Sequence, residues 1–193
     1  MKIKTYILIV IVLSLLAVSS ATQARADSTS SREYQVKAAF LYSFINFVDW
    51  PEDKLTEDNK QIIIGIIGDD PFGNAFEPIK DKQVKGKDVV IKRFKSFNEL
   101  NKSDEKIEAV TKCHLLYICP SEKDELQRII NLVTKYNVLT VGDMKSFLES
   151  GGIINFLMED KKVRFEINNI AAEESELQIR SKLLRLAKRV IKK

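Results

Sequence analysis

Three aspartates, one histidine, two cysteines and one strand-borne arginine are the residues whose types and spacing admit chemistry. Asp69 and Asp70 follow the apolar run Gln61 to Ile67, and Asp143 follows the run Val138 to Val141. In an open α/β sheet such strand ends meet at the crevice where ligands bind. Three carboxylates gathered there form a magnesium ligand set. Helix caps and turns account for Asp70 and Asp143 without chemistry, and no metal site is expected. His114 is the one histidine, which leaves too few ligands for a zinc site. A Ser-His-Asp triad would have to use it, yet the chain has no Gly-x-Ser-x-Gly elbow, so His114 reads as structural. Cys113 and Cys119 flank His114 to Ile118. If that run is extended, their Cα atoms stand about 20 Å apart at roughly 3.3 Å per residue. A disulfide needs about 4.4 to 6.8 Å, so none is expected between them. Arg164 and Glu166 alternate with Val163 and Phe165. Arg164 on a strand face beside aromatics is an anion receptor, and a surface ion pair is the plainer reading.

The elements that must position these residues centre on 138–168, reading VLTVGDMKSFLESGGIINFLMEDKKVRFEIN. A strand stops at Gly142-Asp143, a helix-like piece spans Met144 to Glu149, and Gly151-Gly152 ends it. Two β-rich runs, Ile153 to Met158 and Lys161 to Ile167, are joined by Glu159-Asp160 and pair as a hairpin. Upstream, Glu33 to Val48 repeats apolar residues at spacings of three and four, which predicts a helix ended by Trp50-Pro51. Its aromatics, among them Phe40, Phe44, Phe47 and Trp50, form either core or a binding face. Gln61 to Ile67 is apolar at nearly every position, as in a central strand covered on both faces. Further predicted elements are a helix over Phe72 to Ile79 capped by Asp70, strands over Asp88 to Phe94 and Leu115 to Ile118, and a helix over Glu122 to Tyr136 with a Ser121 and Asp124 start. A basic amphipathic helix follows over Ser181 to Ile191. Its cationic side either faces water or touches an anionic membrane. Ser96 to Glu108 is polar and weakly patterned. The fold class expected is α/β: a single-domain sandwich with a mostly parallel central sheet flanked by helices and an antiparallel edge hairpin.

The first 26 residues read as targeting, not fold. Lys2 and Lys4 precede an uncharged apolar run of thirteen residues, Tyr6 to Val18, and Ala24-Arg25-Ala26 offers a cleavage site. Ser19-Ser20-Ala21 is a second site, and a retained anchor is the alternative, although spanning takes about 20 residues. Residues 1–26 are thus a signal peptide, 27–32 a disordered arm and 33–193 one domain. Cleavage near Ala26 removes Lys2, Lys4 and Arg25 and leaves 28 basic against 27 acidic residues. That balance gives no sign of a nucleic-acid partner.

With these elements in place the chain resembles the YfiR family of exported bacterial proteins (the DUF4154-type domain). The resemblance is carried by EYQVKAAFLYSFINFVDWP (33 to 51), IGIIGDDPFG (64 to 73), CHLLYI (113 to 118) and VLTVGD (138 to 143). It continues through FLESGGIINF (147 to 156), KVRFEIN (162 to 168) and SKLLRLAKRV (181 to 190). It implies a periplasmic, non-enzymatic regulator without cofactors. Such a regulator binds and represses the sensor domain of an inner-membrane diguanylate cyclase, controlling cyclic-di-GMP signalling and biofilm formation. It further implies a homodimer and an OmpA-like outer-membrane lipoprotein that sequesters it. Related domains precede histidine kinases, so a kinase sensor domain is an alternative target. The best known member has four cysteines and is redox-sensitive; this chain has two, which sets it apart. Candidate partner or ligand contacts are Phe40, Phe44, Phe47 and Trp50 on the first helix, and Asp69, Asp70, Phe72 and Asp143 at the crevice. Gly152, Phe156 and Arg164 complete the set. The rival reading is an exported small-ligand binder or enzyme using the crevice acids.

Overall fold

The apolar run 61–67 becomes strand β2 (Gln61–Ile67), buried from Ile62 to Ile67. The computed structural model describes residues 31–56, 60–80, 82–100 and 102–192. The signal-peptide reading of 1–26 and residues 27–30 of the arm lie outside them. Side chains alternate across a strand, and β2 shows it: Ile62, Ile64 and Ile66 enter one core, Ile63 and Ile67 the other. Each face therefore needs its own cover.

Helix α1 (residues 31–47) covers the first face, with Leu41, Phe44 and Ile45 fully buried. It takes in Ser31 and Arg32, two residues of the expected arm. Val48–Asp49 (β1) then pairs antiparallel with β9 (Gln178–Ile179), stapling the helix end to the C-terminal region. The second face is covered by α2 (Phe97–Leu100), α3 (Asp104–Thr111) and α4 (Leu126–Val133), through Phe97, Val110, Ile129 and Val133. Parallel to β2 run β4 (Lys87–Phe94) on one side and β5 (Leu115–Ile118) on the other. Beyond β5 come β6 (Leu139–Gly142) and β7 (Ile154–Glu159), both parallel. β8 (Lys162–Asn168) pairs antiparallel with β7. The two-residue strands β3 (Gln83–Val84) and β10 (Val190–Ile191) close the ends, and the sheet reads β10-β8-β7-β6-β5-β2-β4-β3. This is the expected mostly parallel α/β sandwich. The β7–β8 turn uses Asp160 and Lys161, both at positive φ (49° and 61°), as a two-residue hairpin loop requires.

Several expected helices are shorter. Phe72 to Ile79 is a set of turns ending in a 3-10 turn, Glu77–Ile79. Gly73 at φ 49° breaks it, and Asp70 Oδ1 accepts from the Phe72 N–H as a turn cap only. Met144 to Glu149 is likewise turns, with Ser146 at φ 60°. The helix expected from Glu122 to Tyr136 is α4 between two 3-10 turns, ending at left-handed Asn137. Ser121 does not cap it; its Oγ accepts from the Asp69 N–H. Ser96 to Glu108 forms α2 and α3, since the buried Glu122 carboxylate accepts from the Phe97 N–H and starts α2. The basic helix is cut to a single turn, Ser181–Leu184. Past it, Lys188 N–H donates to Phe165 O and Ile167 N–H to Arg189 O, so the segment satisfies the β8 edge instead of continuing a helix.

His114 joins the start of β5 to β2: its Nδ1 accepts from the Ile63 N–H at 3.0 Å. It is 1% exposed. Burial and the Lys54 charge drive its pKa from 6.5 down to about 4, partly offset by the Lys54 backbone carbonyl. The folded chain thus holds the ring neutral where the unfolded chain would protonate it. Stability from this group is complete above pH 6.5 and falls as pH drops towards 4, by on the order of 3 kcal/mol. Urea unfolding across that window should show the loss, and His114→Asn should flatten it. An equal pH slope in the variant would refute the assignment.

Candidate functional site

The carboxyl ends of the central strands are closed by an ammonium group from α1. Lys37 lies on the buried stripe of the helix, in phase with Leu41, Phe44 and Ile45, and is fully buried. Its Nζ donates to Glu33 one turn earlier, at 2.5 Å, and to Asp143 just after β6. The Tyr34 ring stands 4.6 Å from the same nitrogen and the Phe156 ring 6.0 Å. Burial alone would lower the Lys37 pKa. The hydrogen bonds to Asp143 and Glu33 outweigh it, so the pKa stands above the ordinary lysine value and the cation is retained. Beneath it, Tyr34 packs on Phe72 and Phe72 on Tyr117, at 5.3 and 4.8 Å between ring centres. The Tyr117 hydroxyl is buried without a partner, and burial raises its pKa.

The three crevice acids therefore do not converge. Asp69 faces solvent, Asp70 holds Arg93 at 2.6 Å and Asp143 holds Lys37. Among the described residues no group of three or more His, Cys, Asp or Glu side chains is arranged to hold a metal ion. Strand order reverses between β2 and β5, and that switch point is filled by the turn Pro120–Glu122. A Cβ at Gly68 would lie 2.4 Å from Ser121 Oγ. Burial pushes both thiols up to about 12, away from the nucleophilic thiolate. Cys113 packs in the α3–α4 core and Cys119 in the α1 core, and both are free.

The aromatic candidates divide. Phe44 and Phe156 stack at 5.7 Å inside the core, Phe72 is buried as described, and Trp50 sits edge-on to His114 at the other end of the sheet. Phe40 and Phe47 are only half-buried. Phe40 reaches Phe156 and Phe165 at 6.0 and 5.5 Å, so it forms the rim of the same cluster. Met158 follows Phe156 by two residues on the same face and is 47% exposed. Gly152 is a packing residue: a Cβ there would lie 2.2 Å from the Phe147 ring, and one at Gly142 2.4 Å. Arg164 is exposed on the other face, where its neighbour Glu166 takes a two-pronged bond from Arg189 at 2.9 and 3.0 Å. Lys37 was not among the residues the sequence singled out. A lysine in phase with an apolar stripe was the signal for it.

Two stability tests follow from these contacts. Asp143→Ala leaves the Lys37 ammonium buried with one carboxylate and should cost roughly 3 kcal/mol in urea unfolding. Lys37→Met should cost less than half of that, since Glu33 and Asp143 are each about a quarter exposed and keep water. The reverse order would show that the ammonium is not what the cluster serves. Gly152→Ala should lose roughly 1–3 kcal/mol by overpacking, in part recovered when Phe147→Leu makes room. Additive losses in the double variant would rule out the ring contact as the cause.

A family model described as YfiR/HmsC-like matches residues 34–188. No curated protein matches the chain. Two solved structures are similar in part. One is a conserved domain protein from Vibrio cholerae O1 biovar El Tor, at 14% identity and TM-score 0.47, covering 66% of this chain and 54% of that one. The other is an ABC domain in complex with L-Trp from Streptococcus pneumonia, at 13% identity and TM-score 0.48, covering 67% and 55%. The chain spans about half the length of these two structures.

Proposed function

This chain belongs to the YfiR/HmsC-like family, and we propose from that membership that it is a periplasmic, non-catalytic regulator of cyclic-di-GMP signalling. In this reading the exported domain binds the sensor domain of an inner-membrane diguanylate cyclase and holds it in its inactive state. Repression then needs only a difference in affinity between the two states of the target, a few kcal/mol for a useful switch. A homodimer and sequestration by an OmpA-like lipoprotein belong to the same proposal. The observation that carries it is the family match across nearly all of the described chain. Two features support it: the acids at the crevice are engaged by Arg93 and Lys37 or lie in solvent, and the thiols are held protonated. No described helix is long and apolar enough to cross a membrane.

For the contact surface we favour the outer side of α1 and the tip of the β7–β8 hairpin. Val36 and Met158 are exposed there, at 40% and 47%, beside half-buried Phe40. Phe44, Phe72 and Phe156 act behind this surface as its support, while Trp50 lies at the other end of the sheet. The double change Val36→Asp with Met158→Asp should leave urea stability within about 0.5 kcal/mol, as for surface sites. It should abolish capture of a membrane cyclase or kinase from solubilised membranes, read by mass spectrometry, and raise cellular cyclic-di-GMP. Unchanged cyclic-di-GMP on deleting the whole protein would sink the regulatory reading. Unchanged capture by the double variant would sink only this choice of surface.

A further inference from the structure

At the amino ends of the central strands, opposite the Lys37 cluster, a cavity of about 600 Å³ opens between the loops. Its walls include Lys54, Ile63, Thr111, His114, Lys135 and Tyr136. Lys54 builds it: the Nζ donates to Thr111 O at 2.9 Å and to Tyr136 O at 2.7 Å, tying three loops together. An ammonium carries three protons, so one donor remains. His114 supplies a second. Since Nδ1 accepts from the Ile63 N–H, the neutral ring carries its proton on Nε2, and that buried N–H has no acceptor in hydrogen-bond geometry, the Lys54 carbonyl acting on it only as a weak electrostatic neighbour. The indole N–H of Trp50, whose ring stands edge-on to His114, is buried without an acceptor too. Lys135 adds an exposed cation at the rim. The acceptors of the wall are mostly engaged: Lys54 takes the two carbonyls, and Glu108 is bound to Lys112 at 2.5 Å. Asp53 lies at the exposed rim. Buried donors without acceptors are rare in folded proteins and mark a place where a partner belongs.

We propose that this cavity binds a small organic carboxylate, whose oxygens accept from His114 Nε2–H and the Lys54 ammonium while its apolar body lies against Ile63 and the Tyr136 ring. The site lies at the opposite end of the sheet from the crevice and does not depend on the partner-binding reading.

Trp50 is the only tryptophan and touches His114, so the protein carries its own reporter. Titration with benzoate should change Trp50 emission saturably and shift the His114 Nε2 resonance. Benzyl alcohol, of the same shape without the charge, should do neither. Lys135→Glu leaves the buried framework intact and should weaken benzoate binding roughly tenfold or more, about 1.4 kcal/mol. His114→Asn keeps an acceptor for the Ile63 N–H and should remove the response. No saturable change, an equal response to benzyl alcohol, or full affinity in both variants would each overturn the proposal.

Discussion

Ile62 to Ile67 put apolar side chains on both faces of one strand, and both faces have to be kept from water. Nearly every other feature is a way of meeting that demand. Helix α1 shields one side; α2, α3 and α4 shield the other. Parallel neighbours β4 and β5 satisfy the backbone of β2 along its length. A strand so placed has no free face for a ligand, so recognition is left to the two ends of the sheet and to the outer surfaces of its covers.

The two ends are treated differently. At the carboxyl end a lysine from α1 neutralises Asp143, and the switch-point turn fills the gap between β2 and β5. That end is sealed by charges that satisfy one another, with the Tyr117 hydroxyl left unpartnered beneath them. At the amino end Lys54 bonds to backbone carbonyls only, and His114 and Trp50 keep N–H groups unmatched. Here donors exceed acceptors. The contrast explains why the expected crevice acids lead to no shared site, while the residue read as purely structural, His114, lines a cavity.

Strands were the legible part. β2 and β5 fall where the apolar runs place them, because burial on both faces leaves a compositional mark in six or four consecutive residues. Helices were less legible, for tertiary reasons. Gly73 and Ser146 take left-handed conformations that break two expected helices. Glu122 starts α2 from 25 residues away in sequence. The 181–191 segment has a helical pattern, but the bare edge of β8 claims its end as β10. Of the candidate site, the aromatics were visible as types, not as inside or outside. Phe40 and Phe44 are one helical turn apart, yet one is rim and the other core.

The Lys37–Asp143 contact joins residues 106 positions apart, and the Asp49–Arg180 contact spans 131. Both tie down α1, the first described segment to be synthesised. Contacts of such long sequence separation form late and slow folding. An emerging α1 carries Leu41, Phe44 and Ile45 on a face that nothing can cover until the sheet exists. The chain is therefore one whose amino-terminal helix must wait, apolar side exposed, for nearly all the rest. A holding chaperone that recognises an amphipathic helix would find its substrate in that interval.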